Sequence, residues 1–252
     1  MIKTILITGA TAGIGKATAF RFAQEGHRLI ITGRRIKILQ DIASGLKEKY
    51  NTETVCLAFD IRDRSAMEKS LDSLPEEWKA IDILVNNAGL AAGLDPVNTA
   101  STDDWDTMID TNVKGLLYIS HKVIPWMIER GKGHIFNIGS IAGKEVYPKG
   151  SVYCATKHAV DALTKGMRID LLPHGIKVTQ VSPGAVETEF SLVRFKGDHD
   201  RAGMVYKGYE PLVAEDIAAV IHFISSLPPR VNINDILVMP QAQANATTFN
   251  KM

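Results

Sequence analysis

Tyr153 and Lys157 stand four positions apart, a spacing at which a tyrosine and a lysine could act together as an acid–base pair. On a helix their side chains would lie on one face, one turn apart. An ammonium beside a phenol favours the phenolate, so we expect the pKa of Tyr153 to fall below its ordinary value of about 10. Such a tyrosine could pass a proton to or from a carbonyl oxygen, and Ser140 could donate a hydrogen bond to the same oxygen. Taken alone, the pair could equally be an ordinary half-exposed helix face.

A glycine-rich loop lies between the first predicted strand and the first predicted helix. Residues 4–8 are apolar and β-rich, Gly9-Ala10-Thr11-Ala12-Gly13-Ile14-Gly15 follows, and residues 16–25 have helical spacing. Glycines in such a loop let the backbone approach a pyrophosphate, and the helix N-terminus offers free N–H groups. A second strand is predicted over 28–32. This order of elements predicts a dinucleotide-binding cradle.

The second predicted strand ends in Gly33-Arg34-Arg35. At this position an NAD site has an acidic residue for the adenosine ribose, whereas an NADP site has a basic group for the 2′-phosphate. A guanidinium binds phosphate through a fork of two hydrogen bonds. The two arginines therefore predict NADP as the coenzyme, although basic residues are also common at the start of a solvated helix.

The rest of the chain alternates between strands and helices, which is typical of an α/β fold. Further strands are predicted over 55–59, 81–85, 133–138, 176–181 and 236–239, and helices over 36–50, 65–74, 103–127, 153–172 and 214–227. The polar segment 187–210 contains three glycines and is expected to be a mobile substrate flap. The polar tail 241–252 is expected to be loose, or ordered only by a partner subunit. Because no repeat or linker divides the chain, we interpret 1–252 as a single domain.

Three polar positions near predicted loops suggest contacts with a ligand. Asp60 follows the third strand and could accept a hydrogen bond from an adenine amino group, or cap the helix that begins near Ser65. Asn86-Asn87-Ala88-Gly89 ends the fourth strand, and a doubly wound sheet uses small and amide residues there against its ligand. Asn112 lies inside a predicted helix, where its side chain competes for backbone hydrogen bonds. It predicts a kink or a functional task, unless it is a tolerated polar residue.

Composition excludes several classes of function. A chain of 252 residues, 45% of them hydrophobic, can bury a large core. The net charge of +1 gives no reason to expect binding to nucleic acid or to a membrane. The two cysteines, Cys56 and Cys154, form neither a disulfide framework nor a metal-ligand spacing, and the scattered histidines predict no metal site. With no signal peptide and no apolar run long enough to span a membrane, we expect a soluble cytoplasmic protein.

In their order and separation, these motifs resemble the short-chain dehydrogenase/reductase superfamily over essentially the whole chain. The resemblance rests on Thr8-Gly9-Ala10-Thr11-Ala12-Gly13-Ile14-Gly15, Asn86-Asn87-Ala88-Gly89, Asn112, Ser140, Tyr153-Cys154-Ala155-Thr156-Lys157 and Pro183-Gly184. It implies a Rossmann-type, doubly wound parallel sheet of seven strands with helices on both faces.

The resemblance also implies a catalytic tetrad. Tyr153 would be the general acid in reduction and the base in oxidation. Lys157 would lower the pKa of that tyrosine and hold the nicotinamide ribose. Ser140 would orient and polarise the substrate oxygen, and Asn112 would keep a water that links Lys157 to a proton relay.

The resemblance places the coenzyme along the glycine loop and the strand ends. The implied contacts are Gly9, Thr11, Ala12, Gly13, Ile14, Gly15, Arg34, Arg35, Asp60, Ile61, Asn87, Ala88, Gly89, Tyr153, Lys157, Pro183, Gly184, Val186 and Thr188. Among them, Asp60 and Ile61 would meet adenine, and Val186 and Thr188 would meet the carboxamide and phosphates. Many NADP-using members have a basic residue where this chain has Ala12, so Arg34 and Arg35 have to supply the whole preference for the 2′-phosphate.

Segments 33–35, 187–195 and 196–198 resemble the branch of NADP-dependent 3-hydroxy acid dehydrogenases. This resemblance implies oxidation of serine, allo-threonine or 3-hydroxypropionate, and a homotetramer. We expect Ser140, Tyr153 and Arg194 to bind the substrate, with Arg194 holding its carboxylate; Lys144 and Lys149 are alternative cations. A reductase of 3-oxoacyl thioesters or of other carbonyls would share every catalytic residue. A non-catalytic NADP-sensing protein is the alternative from another class, and the intact tetrad argues against it.

Overall fold

A parallel β-sheet forms the centre of the protein in the computed structural model, which describes residues 2–251. The strands of the described range are β1 Thr4–Ile7, β2 Arg28–Gly33, β3 Thr54–Ala58, β4 Ile83–Asn86, β5 Gly133–Ile138, β6 Ile176–Pro183, β7 Val186–Glu187, β8 Leu212–Val213 and β9 Asp235–Val238. Over residues 2–251, seven of them form one all-parallel sheet in the order β3-β2-β1-β4-β5-β6-β9, and β7 pairs with β8 separately. The predicted doubly wound sheet is confirmed.

Helices cover both faces of this sheet. Over the described residues they are α1 Gly13–Gln24, α2 Ile36–Tyr50, α3 Arg64–Asp72, α4 Glu76–Lys79, α5 Thr102–Ile109, α6 Leu116–Glu129, α7 Ser151–Leu171, α8 Phe190–Arg194, α9 His199–Met204 and α10 Ala214–Ser226. Successive strand side chains point to opposite faces, so Ile5 and Ile7 pack with α1, α2 and α10, whereas Leu6 packs with α3, α6 and α7. A strand buried on both faces is apolar throughout, as β1 is.

The strand order reverses beside β1, and this reversal creates the crevice of the site. From β1 the chain runs outward to β2 and β3, then returns to β4 on the other side of β1. The loops after β1 and β4 therefore diverge at the carboxyl edge of the sheet, where ligands bind in doubly wound folds.

Buried amides tie helix α7 to the middle of the sheet. Asn86 on β4 donates to the side-chain oxygen of Asn137 on β5 at 2.8 Å, and Asn137 donates to Thr164 on α7 at 2.9 Å. All three side chains are buried. Because an unpaired amide in the core would be costly, these hydrogen bonds restrict α7 to one position on the sheet.

The prediction of one continuous helix over 103–127 is wrong, because the helix is interrupted. Residues Asp110–Gly115 form a π-helical turn between α5 and α6, and Asn112 lies inside it. A π turn inserts one residue into the helical repeat and re-aims its side chains, and such turns are frequent at functional sites. The kink predicted from Asn112 is therefore present.

The flap and the tail are more structured than their sequences suggest. The segment 187–210 contains the short helices α8 and α9. In the tail, the Gln243 side-chain oxygen accepts a hydrogen bond from the Ala185 N–H at 2.8 Å, and the Phe249 ring packs on Tyr209 at a centroid distance of 4.9 Å. The described part of the tail thus packs on its own chain. Its last residue, Met252, and the first residue of the chain, Met1, lie outside the described residues.

Residues 2–251 contain neither a membrane-spanning helix nor a cluster of metal-binding side chains. No helix in that range combines the length and apolar character that crossing a membrane requires. In the same range, no three His, Cys, Asp or Glu side chains come together in a way that could hold a metal ion.

Helix α1 anchors the glycine loop to the core mainly through Phe22, which is 0% exposed. We expect Phe22→Ala to lower the free energy of unfolding by about 3–5 kcal/mol, because it removes apolar burial and leaves a cavity. Phe223→Ala is the matched control: Phe223 is 56% exposed on α10, and its loss should change stability by no more than about 0.5 kcal/mol. Urea unfolding measures both, and equal losses would contradict this assignment of the core.

Candidate active site

One cavity of about 450 Å³ lies at the carboxyl edge of the sheet. It extends from the glycine loop and the end of β2, past β3 and β4, to the start of α7 and the flap. The predicted site residues that line it are Gly9, Thr11, Ala12, Gly13, Ile14, Arg34, Arg35, Asp60, Ile61, Asn87, Ala88, Gly89, Ser140, Tyr153, Lys157, Pro183, Gly184, Val186, Thr188 and Arg194. Gly15 and Asn112 are predicted site residues that lie behind this lining.

The glycine loop fits the pyrophosphate of a dinucleotide. Gly9 has a φ of +67° and Gly13 a φ of +50°, the left-handed region that glycine tolerates best. A Cβ on Gly15 would stand 2.4 Å from Asn87 Nδ2, so only glycine allows the β1 and β4 loops to approach this closely. No side chain caps the N-terminus of α1, which leaves its first N–H groups available to an anion.

Both predicted arginines line the adenosine end of the cavity, but Arg35 already has partners. Its Nη2 donates to Thr11 Oγ1 at 2.9 Å and to Glu189 Oε2 at 3.3 Å. Arg34 and Arg35 together give this end the positive charge that a 2′-phosphate requires. The lining residues therefore fit NADP better than NAD.

Asp60 neither caps the following helix nor stands free. Arg62 binds both of its carboxylate oxygens, and this hydrogen bonding lowers the pKa of Asp60. The cap of α3 is instead Asp63, whose Oδ1 accepts from the Ala66 N–H at 3.0 Å. Of the two possibilities open for Asp60, capping is wrong, and the contact with adenine stays a prediction.

Ser140, Tyr153 and Lys157 come together where β5 meets α7. Tyr153 and Lys157 are 8% and 7% exposed, so the pair is not an ordinary half-exposed helix face. Ser140 Oγ accepts a hydrogen bond from the Ala142 N–H at 3.1 Å, and its own proton remains available for donation. Lys157 Nζ donates to the Ile138 carbonyl at 2.9 Å and lies 6.0 Å from the centroid of the Tyr153 ring.

The expectation that Lys157 lowers the pKa of Tyr153 is wrong for this structure. Burial raises the pKa of Tyr153 well above its usual range, and the nearby Ser140 hydroxyl opposes that rise only in part. Burial also lowers the pKa of Lys157 to about 8. In both cases desolvation disfavours the charged form. Tyr153 is consequently protonated at neutral pH.

Asn112 positions the backbone next to the cavity. Its Oδ1 accepts from the Leu90 N–H at 2.8 Å, and its Nδ2 donates to the Leu90 carbonyl at 2.8 Å and to Thr156 Oγ1 at 3.0 Å. The π turn places the amide between the loop after β4 and helix α7. These contacts show a positioning task, whereas a role in holding water stays a prediction.

The Arg194 guanidinium lies beside the aromatic rings of Tyr153 and Tyr147. Its guanidinium carbon lies 5.9 Å from the centroid of Tyr153 and 5.5 Å from that of Tyr147. Its Nε donates to the Gly93 carbonyl at 3.1 Å, and the Gly93 N–H donates back to the Arg194 carbonyl at 3.0 Å. Within residues 2–251, its Nη2 is buried and has no hydrogen-bond partner. A buried N–H without an acceptor is costly, which points to an anion in the cavity.

The two alternative cations do not reach the cavity lining. Lys144 is bound by Asp161 and Asp235, and Lys149 lies in a turn with a φ of +65°. Neither contributes to the lining of the large cavity.

Sequence reasoning missed several residues that line the cavity. They are chiefly Tyr147, Glu189, Phe190, Tyr206, Gln243, Ala246 and Phe249. Tyr147 had a usable signal in the sequence, because it is an aromatic residue between Ser140 and Tyr153. In the structure its ring lies against Gly150, where a Cβ would overlap it. The tail residues had none, since the polar tail contains no periodic pattern that predicts where it packs.

Comparison with known proteins agrees with this architecture. The family model for short chain dehydrogenases matches residues 3–197. A relative from Escherichia coli (strain K12), named NADP-dependent 3-hydroxy acid dehydrogenase, is 48% identical over 243 residues, which cover 96% of each chain. A relative from Chromohalobacter salexigens, named sulfoacetaldehyde reductase 2, is 45% identical over 245 residues, which cover 97% of this chain and 96% of the relative.

A solved structure extends the agreement to three dimensions. The closed form of serine dehydrogenase complexed with NADP+ superimposes with a TM-score of 0.92, at 46% identity and over 99% of both chains. Family model, sequence identity and fold therefore agree. The chain belongs to the short chain dehydrogenase family.

Proposed function

We propose that this protein is an NADP-dependent oxidoreductase that interconverts small 3-hydroxy acids, such as serine, allo-threonine or 3-hydroxypropionate, and their 3-oxo products. The observation that carries the proposal is the presence of Ser140, Tyr153 and Arg194 in one cavity, with a buried and unpartnered N–H on Arg194. A 3-hydroxy acid has a hydroxyl group and a carboxylate two carbons apart. The hydroxyl group matches Ser140 and Tyr153, and the carboxylate matches Arg194. The Escherichia coli relative and the solved serine dehydrogenase are named for substrates of this class.

Each side chain has a distinct task in this reaction. Bound NADP supplies the electron acceptor for oxidation, and NADPH the donor for reduction. Tyr153 removes the proton of the substrate hydroxyl in oxidation and returns it to the carbonyl oxygen in reduction. Ser140 donates a hydrogen bond to that oxygen, and Arg194 binds the carboxylate. Lys157 holds the nicotinamide ribose, and Asn112 fixes the loop after β4.

The burial of Tyr153 has a directional consequence for the reaction. A protonated tyrosine is ready to act as an acid in reduction, whereas oxidation first requires the loss of its proton. Because burial raises the pKa of Tyr153, a rise in pH favours the oxidative reaction, whereas the reductive reaction gains nothing from it.

The assay that tests this function measures initial rates of NADPH formation with serine and with 3-hydroxypropionate. NADP should support turnover, and NAD should support far less, because Arg34 and Arg35 line the cavity and we expect them to bind the 2′-phosphate. Oxidation of neither acid by a protein that binds NADP would contradict the substrate class.

A second candidate function comes from the relative named sulfoacetaldehyde reductase 2. A sulfonate and a carboxylate are both anions that a guanidinium binds, so Arg194 could serve either. Rates with NADPH and sulfoacetaldehyde, measured beside the 3-oxo acids, decide between the two.

Replacing Tyr153 by Phe removes the proton-transfer group and keeps the ring. We expect kcat to fall roughly 10²- to 10⁴-fold in both directions, with binding of NADP retained. In the wild type, kcat/KM for oxidation should rise between about pH 7 and about pH 9, whereas that for reduction should not. Tyr50→Phe on the distant helix α2 is the control, and activity of Tyr153→Phe close to that of Tyr50→Phe would remove Tyr153 from the mechanism.

Replacing Lys157 by Met should abolish activity and stabilise the fold. Burial lowers the pKa of Lys157 from 10.5 to about 8. Below that pH the native state carries a charge that its burial disfavours. At neutral pH, Lys157→Met should therefore raise the free energy of unfolding by about 1–3 kcal/mol. The gain should shrink as the pH rises from 8 to 10.5, because the wild-type lysine is then neutral in its native state.

Lys165→Met, an exposed lysine on the same helix, is the control for Lys157→Met and should change stability little. Chemical denaturation at several pH values measures both variants. A loss of stability in Lys157→Met at neutral pH would show that the buried charge does not destabilise the native state.

Replacing Arg194 by Ala should weaken the binding of acids selectively. We expect KM for 3-hydroxypropionate to rise roughly 10- to 100-fold, because a hydrogen bond to a charged group is lost. KM for hydroxyacetone, which has no carboxylate, should change far less. Arg201→Ala, on α9 of the same flap, is the control. An unchanged KM for the acid in Arg194→Ala would end the assignment of Arg194 to the carboxylate.

A further inference from the structure

We propose that Glu189 on the flap is a specificity residue for the coenzyme, because its carboxylate competes with the 2′-phosphate of NADP for the Arg35 guanidinium. This inference rests on the proposed use of NADP. Arg34 and Arg35 create the preference for NADP, and Glu189 opposes it.

The competition follows from the contacts of Arg35. Glu189 Oε2 accepts from Arg35 Nη2 at 3.3 Å and from Nη1 at 3.4 Å, so one carboxylate oxygen is shared by the guanidinium fork. A phosphate binds the same fork through two oxygens. The carboxylate of Glu189 therefore takes the hydrogen-bond donors that the coenzyme needs.

Thr11 keeps Arg35 in place when this pair breaks. The hydrogen bond from Arg35 Nη2 to Thr11 Oγ1, at 2.9 Å, is shorter than either contact with Glu189. Thr11 belongs to the glycine loop and also lines the cavity. Removal of the acid would thus leave the guanidinium at the cavity wall.

The ion pair is weak enough to be exchanged. The side chains of Arg35 and Glu189 are 47% and 55% exposed, and exposed pairs contribute at most about 1 kcal/mol. A phosphate has a greater negative charge than a carboxylate and can displace it. When NADP binds, the Glu189 carboxylate either moves away or stays beside the 2′-phosphate. Repulsion between these two negative charges lowers the affinity for NADP but not for NAD, which has no 2′-phosphate.

The position of Glu189 in the chain fixes it beside the coenzyme cradle. It is the N-cap residue of α8, and the preceding Thr188 side chain lies 3.2 Å from where a Cβ on Gly13 would stand. The same short helix ends at Arg194 in the substrate end of the cavity. Glu189 therefore links the flap, through Arg35, to Thr11 of the glycine loop.

The test compares dissociation constants of NADP and NAD, measured by isothermal titration calorimetry on the intact protein. We expect Glu189→Gln to tighten NADP binding roughly three- to tenfold and to change NAD binding less than about twofold. The gain should diminish in high salt, because the pair is exposed. Glu187→Gln is the matched control: it removes the same charge two residues earlier on β7, from an exposed side chain, and should change the NADP to NAD ratio less than about twofold.

A second background identifies the partner. In Arg35→Ala, the Glu189→Gln substitution should give no further gain in NADP affinity beyond that of Glu187→Gln. An unchanged NADP to NAD ratio in Glu189→Gln, weaker NADP binding, or the same gain with and without Arg35 would each overturn the inference while leaving the proposed function standing. Failure of the wild type to bind NADP would overturn both.

Discussion

The desolvation of Tyr153 and Lys157 is the constraint on which the site depends. Both side chains lie in the first two turns of α7 and are almost completely buried, so each resists its charged form. The single carbonyl of Ile138 accepts from the ammonium, and that carbonyl stands at the end of β5. The geometry of the reaction centre is therefore set by how α7 sits on the sheet, and the buried amides of Asn86 and Asn137 determine that position.

The coenzyme end depends on a different constraint, the close approach of the loops after β1 and β4. Asn87 Nδ2 donates to the Thr8 and Gly9 carbonyls, and Gly15 leaves room for that amide. This packing holds the glycine loop open to an anion at the start of α1. The flap joins the two ends, because Glu189, the N-cap residue of α8, contacts Arg35, and α8 ends at Arg194. This short helix thus reaches both ends of the cavity.

The sequence predicted those features that depend on local spacing. The succession of strands and helices, the glycine loop and the Tyr153–Lys157 pair all follow from residues close together in the chain, and the structure has them. The π turn, the cap at Asp63 and the pairing of Asp60 with Arg62 depend on detailed local competition that periodicity does not resolve. The packing of the tail and the Arg35–Glu189 contact join residues far apart in the chain. The direction of the Tyr153 pKa was missed because burial is a property of the folded protein, whereas the spacing shows only the nearby lysine.

The most direct measurement of the central claim is a crystal structure of the protein with NADP and 3-hydroxypropionate bound. We expect the substrate hydroxyl to contact both Tyr153 and Ser140 and its carboxylate to contact Arg194. A carboxylate held away from Arg194, or a hydroxyl out of reach of Tyr153, would contradict the proposal that these residues together select and transform a 3-hydroxy acid.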